Sequence, residues 1–161
     1  DDAVHFHSTL KQVCEAYKKD AYNSFKKECD AYFYLPHRQE TRGIGGIFFD
    51  YLNDDFNTLY SFVANASMAF TDAYLPIVNQ RKETAYTQDQ RHWQCIRRGR
   101  YAEFNLLYDR GTLFGLKTNG RIESILMSMP PEARWGYDYQ PAERSSEAEL
   151  LAILKQPKDW A

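Results

Sequence analysis

Between Arg97 and Arg121 the sequence gathers groups that can hold or move charge. They are Glu103, Asn105, Asp109, Arg110, Asn119 and Arg121, set among aromatic and aliphatic side chains. A carboxylate can take a proton or face a developing cation, and a guanidinium offers a planar fork of donors that suits carboxylates. Residues 101–108 are dominated by Tyr, Phe and Leu, which predicts a strand. Side chains alternate along a strand, so Ala102, Phe104, Leu106 and Tyr108 share an apolar face. Tyr101, Glu103, Asn105, Leu107 and Asp109 share the other. Asp109-Arg110-Gly111 predicts a turn, 113–117 a second strand, and Asn119-Gly120 another turn. Arg110 and Arg121 then stand at turns beside a polar sheet face. That pattern points to a sheet-lined pocket for an anionic ligand, and a solvated face with ordinary turn residues accounts for it equally well.

Other constellations are weaker. His5 and His7 flank Phe6, and with His37 they can chelate a divalent metal. Residues two apart do not share a helix face, so polar side chains near a helix start are the plainer account. His92 reads as structural. The arginines at 38, 42, 97, 98, 100, 110 and 121, with aromatics between them, suggest RNA. A net charge of -2 and the lack of an RNP-like pattern argue for no nucleic-acid partner. Gly43, Gly45 and Gly46 have the wrong order for a dinucleotide fingerprint, and no Gly-Lys-Ser/Thr follows. There is no Gly-x-Ser-x-Gly and no nucleophilic cysteine motif.

The elements that must position these groups follow from periodicity and punctuation. With 161 residues the chain is long enough for one domain with a real core. No apolar run predicts a membrane span. No signal-peptide pattern is visible, and Cys14, Cys29 and Cys95 fit free thiols in a reducing compartment. A cytoplasmic protein is expected. The start Asp1-Asp2-Ala3, without Met, fits a domain cut from a longer chain. Asp1 or Asp2 is expected to cap a helix running to about Lys19, and Asp20 a second helix ended by Pro36. Lys18, Lys19, Lys26 and Lys27 mark solvated faces. The segment 37–46 reads as a flexible basic loop, and Ile47-Phe48-Phe49-Asp50 as a short strand. A long helix is predicted over 56–82, kinked or split by Pro76. Thr87 with Gln90 forms a capping box for a helix ending near Arg98-Gly99. A third strand spans 123–129. Ser145 or Ser146 caps a last helix at 146–156. The fold class is therefore α+β, an antiparallel sheet flanked by helices.

Longer motifs then carry a resemblance. His37-Arg38…Arg42-Gly43-Ile44-Gly45-Gly46-Ile47-Phe48-Phe49-Asp50 resembles the signature of oxygen-dependent coproporphyrinogen III oxidases. So do Arg97-Arg98-Gly99-Arg100-Tyr101…Glu103-Phe104-Asn105-Leu106…Tyr108-Asp109-Arg110-Gly111-Thr112, Arg121-Ile122-Glu123-Ser124, and Lys158-Asp159-Trp160. The motifs run in the family's order over the whole chain. Two positions depart from the family pattern: Tyr51 stands where a second aspartate is usual, and Asn119-Gly120-Arg121 where Gly-Ser-Arg or Gly-Gly-Arg is usual. Asn tolerates the same turn conformation as Gly.

The resemblance implies the C-terminal half of a larger single-domain α/β sandwich, with the N-terminal half and its proton-donating histidine absent. It implies oxidative decarboxylation of two propionates of coproporphyrinogen III to vinyls in haem synthesis. The reaction uses O2 as co-substrate and no organic cofactor, and the product is protoporphyrinogen IX. It implies a homodimer with contacts between Tyr101 and Gly136. Substrate binding maps to Asn119, Gly120 and Arg121. The family's divalent metal, whose requirement is disputed, maps to His7 and His37. Asp109, with Arg110 beside it, is implied as the residue meeting the pyrrole nitrogens. The alternative is a non-catalytic tetrapyrrole-binding or dimerisation module.

Overall fold

A computed structural model describes all 161 residues. The chain is α+β, with seven helices and one two-stranded antiparallel sheet. It forms two compact units, Asp1–Phe33 with Gly43–Ala85 and Pro157–Ala161, and Tyr34–Arg42 with Tyr86–Gln156. No helix is long and apolar enough to cross a membrane.

The first unit holds α1 (Asp2–Tyr17), α2 (Ala21–Tyr32) and α3 (Phe56–Arg81). Asp1 and Asp20 occupy the cap positions of α1 and α2, but neither side chain bonds an amide. Glu15 takes over that task for α2, accepting from the Asp20 and Tyr22 amides at 3.0 and 3.4 Å. Asp55 does cap α3, accepting from the Thr58 amide at 3.1 Å. Cys14, Tyr22, Phe25 and Phe62 form the core, joined by Tyr17, Ile47 and Phe49. Lys26, expected on a solvated face, is buried and paired with Asp30 at 2.5 Å. A buried ammonium needs such a partner, because desolvation alone would expel it.

Pro76 lies inside α3, which continues through it instead of splitting. A proline has no amide hydrogen, so the carbonyl four residues back, at Asp72, loses its helical partner. The His5 Nε2 lies 3.2 Å from that carbonyl and can answer it. Phe62, Ala69 and Ala73 form the buried stripe of α3, while Phe56, Tyr60, Phe70 and Tyr74 are exposed. The expected strand at 47–50 is an extended segment without a ladder. Its Phe48 amide donates to the Phe25 carbonyl at 3.1 Å, and its ring stacks on Tyr32 at 4.3 Å. Aromatic packing, not strand pairing, holds that run.

The second unit contains the sheet. β1 (Tyr34–Leu35) pairs with β2 (Glu40–Thr41), Tyr34 opposite Thr41 and Leu35 opposite Glu40. The segment expected as a flexible loop is thus in part a tight hairpin, with Gln39 at φ 55°. The unit also holds α4 (Gln88–Leu107), α5 (Arg110–Lys117), α6 (Ile122–Ile125) and α7 (Ser146–Lys155). The capping box is present, with Thr87 Oγ1 and Gln90 Oε1 accepting reciprocally at 3.2 and 2.8 Å. Ser145 caps α7, accepting from the Ala148 amide at 3.2 Å.

The three strands expected at 101–108, 113–117 and 123–129 are not formed. The first is the end of α4, the second is α5, and the third contains the single turn α6. The stretch 101–108 has no Val, Ile or Thr, and it has Ala, Glu and two Leu, which favour helix. Gly99 does not end α4. A Cβ there would lie 2.7 Å from the Arg134 carbonyl oxygen, so the glycine admits a crossing backbone.

Candidate functional site

The residues singled out at 97–121 sit on α4 and the α5–α6 hairpin of the second unit. Glu103 lies on the last turns of α4 and is the hub of a polar cluster. Its Oε1 accepts from Arg38 Nη2 at 2.6 Å, Trp135 Nε1 at 2.8 Å and Arg100 Nη1 at 3.3 Å. Its Oε2 accepts from Arg38 Nε at 3.0 Å and lies 2.9 Å from His37 Nε2. The Glu103 side chain is only 11% exposed. Burial pushes its pKa up, but bonds from Arg38, His37 and Trp135 and the Arg100 charge outweigh burial and bring it to about 2. The other His37 nitrogen, Nδ1, lies 2.8 Å from the Tyr108 hydroxyl. A second pair joins α4 to the β1–β2 hairpin: Arg97 Nη1 meets Glu40 Oε1 at 2.5 Å.

Asp109 follows α4 directly and is the N-cap of α5. Its Oδ2 accepts from the Thr112 amide and the Thr112 hydroxyl, both at 2.8 Å. An ionised carboxylate is favoured there by the exposed amides and the positive end of the helix. Arg110 is the first residue of α5 and is exposed. At the other end of α5 the chain closes a Schellman turn. The Gly120 amide donates to the Gly115 carbonyl at 2.9 Å, and the Asn119 amide to the Leu116 carbonyl at 3.4 Å. Asn119 takes the left-handed conformation such a turn needs, at φ 55°. Gly120 packs closely there, since a Cβ would stand 3.1 Å from the Gly115 carbonyl oxygen, tighter than most such contacts. Arg121 then caps α6 without a side-chain bond, and its side chain is 79% exposed. Eight helical residues at ~1.5 Å each put about 12 Å of α5 between Asp109 and the 119–121 turn.

The expectation of a polar sheet face is corrected here, because Glu103 and Asp109 belong to a helix end and a helix cap. Asp109 and Arg110 stand at one end of α5, and Asn119, Gly120 and Arg121 follow the other. Glu103 as a hub was missed, although its i+3 spacing from Arg100 and the Asp109-x-x-Thr112 cap pattern were both readable.

The two histidines have different settings and belong to different units. His7 is fully buried, stacks on Trp160 at 6.2 Å, and has Nδ1 2.9 Å from the Tyr22 hydroxyl. Burial, then the Lys26 charge, lowers its pKa to about 4. Its Nε2 has no hydrogen-bond partner. At His37 a metal would have to displace the Tyr108 hydroxyl or the Glu103 contact. No group of three or more His, Cys, Asp or Glu side chains is arranged to hold a metal.

Two comparisons bear on identity. The family model described as coproporphyrinogen III oxidase matches residues 1–160. The oxygen-dependent coproporphyrinogen-III oxidase of Francisella tularensis subsp. novicida (strain U112) is 52% identical over 161 residues. That match covers 99% of this chain and 52% of the relative, so the chain spans about half the length of the curated relative it matches. A match along essentially its full length, through the capped α5 and the Schellman turn, means that this chain belongs to the coproporphyrinogen III oxidase family.

Proposed function

We propose that this chain is the C-terminal portion of an oxygen-dependent coproporphyrinogen III oxidase acting in the cytoplasm. In this reading two propionate arms of coproporphyrinogen III become vinyls, giving protoporphyrinogen IX. Each arm loses CO2, one proton and two electrons, and O2 takes up the electrons with that proton and one more from solvent. The single observation that carries the reading is the family match over residues 1–160. The three buried free cysteines accord with a reducing compartment.

Within that reading Asp109 faces the pyrrole N–H groups at the centre of the macrocycle, and Arg110 steadies it. Asn119, Gly120 and Arg121 bind a carboxylate at the rim. The support is geometric: a fixed anion and an exposed guanidinium lie about 12 Å of helix apart. An anion held at a helix cap stabilises positive charge developing on an oxidised pyrrole without reorganising. Arg121→Ala in the full-length protein is expected to weaken substrate binding by about 1.5–3 kcal/mol, read as a raised KM. Unchanged KM and kcat would remove Arg121 from the site.

The isolated chain is expected to show no aerobic turnover of coproporphyrinogen III, and measurable conversion would overturn that. Homodimer contact between Tyr101 and Gly136 belongs to the same reading. It is supported by the exposed Leu107, Phe114, Ile122, Met127 and Trp135 on that stretch. Phe114→Asp and Met127→Asp together are expected to turn a sedimenting dimer of the full-length protein into monomer. A dimer that persists rules out this face.

A further inference from the structure

The second unit contains a cavity of about 210 Å³ that none of the residues discussed for substrate lines. Its floor and walls come from the β1–β2 hairpin, α4, α7 and the 136–140 segment. Four cationic side chains line it, Arg38, Arg97, Arg100 and Lys155, against the two carboxylates of Glu40 and Asp138. Glu103, outside the lining, pairs with Arg38 and Arg100, which leaves one positive charge over. Glu40 Oε1 serves Arg97 at 2.5 Å and lies 3.4 Å from Arg100 Nε. Asp138 Oδ1 already accepts from Gln140 at 3.3 Å.

Arg100 is the telling residue. It is 8% exposed, and its Nε–H meets no hydrogen-bond acceptor, because Glu40 is off the bonding line. A buried donor left unmet costs about 1–3 kcal/mol, so such groups usually mark a missing partner. Burial also pushes the Arg100 guanidinium down from its usual range, and a nearby anion would offset that cost. Trp93 and Tyr139, 5.9 Å apart, add an aromatic wall. The room equals about seven waters at ~30 Å³ each, too little for a macrocycle and enough for a short carboxylate.

We propose that this cavity is a carboxylate-binding site, with Arg100 as the fork, Lys155 as the outer charge, and Arg97, itself held by Glu40 and the Thr41 and Arg42 carbonyls, as a fixed positive wall. A carboxylate brings an acceptor for the Arg100 Nε–H and balances the one remaining positive charge. Its planar shape suits the guanidinium fork better than a compact point anion does. The carboxylate is either a free short-chain acid or an arm of a larger polycarboxylate. The site stands on its own geometry and does not depend on the oxidase reading.

The test is titration of the full-length protein with sodium succinate, followed by 1H–15N spectra. Saturable shifts are expected at the Trp93 indole N–H and the Arg100 Nε–H, and sodium chloride at equal ionic strength should not reproduce them. Lys155→Gln, an exposed change that leaves the fold intact, should weaken binding several-fold. Arg100→Lys should weaken it about tenfold. Coproporphyrin added as competitor decides the source: displacement identifies an arm of the tetrapyrrole, and no displacement a free acid, the site standing in both cases. Shifts that never saturate, that chloride matches, or that Lys155→Gln leaves unchanged would overturn the proposal. The readout is binding, not turnover, so its failure and that of the oxidase reading are separate results.

Discussion

Asp109→Asn in the full-length protein is expected to fold normally and bind substrate, yet lose about 10²–10³ in kcat. Asn caps helices about as well as Asp, and its amide oxygen can still accept from the Thr112 amide and hydroxyl. The substitution therefore removes charge and keeps architecture. Asp109→Ala removes both and should cost a further ~1 kcal/mol of stability through the lost cap. Urea unfolding beside steady-state kinetics separates the two effects. An Asn variant with normal kcat would reduce Asp109 to a cap.

The second large effect concerns Glu103. Removing a partner from a buried ion pair costs about 3–5 kcal/mol, because the charges left behind lose their counter-ion. Glu103→Ala strands Arg38 and Arg100 together, so the second unit should lose stability on that scale. Glu103→Gln keeps some acceptor capacity and should lose less. The carboxyl has its pKa lowered from 4.5 to about 2 on folding. A depressed carboxylate pKa means that the unfolded chain binds the proton first as pH falls. The stabilisation is thus complete above pH 4.5 and is lost between there and about 2. At 1.36 kcal/mol per unit this window amounts to about 3 kcal/mol. Chemical unfolding at pH 6 and pH 3 should show that slope in the parent and a shallower one in Glu103→Gln. Equal slopes would mean that Glu103 is not held as described.

Sequence legibility followed the strength of local chemistry. The Thr87–Gln90 box and the Ser145 cap were readable because each rests on side-chain oxygens at a fixed offset from an amide. The long α3 was readable because its period repeats over many turns. The stretch 101–108 was not, because its apolar residues fit period 2 and period 3.6 alike, and Gly99 masqueraded as a stop. Its true reason, the Arg134 carbonyl packed on α4, lies 35 residues downstream and is invisible to local pattern. The same holds for the cluster around Glu103, assembled from a hairpin, a helix and a loop. The family motifs, by contrast, were legible residue by residue, and the match over 1–160 agrees with them.

The closed turn after α5 has a thermodynamic corollary. Gly115 and Gly120 pack closely against each other and against Ile125, and two backbone hydrogen bonds close the peptide frame beneath Arg121. The guanidinium above it, by contrast, is exposed, with only the exposed Glu123 carboxylate 3.9 Å away. Capturing an acid group there spends side-chain rotamer entropy, ~2 kcal/mol for an arginine, and little else. Such an arm reaches out for ligands from a stiff mount, and its reach can adapt to arms at slightly different angles while its root does not move.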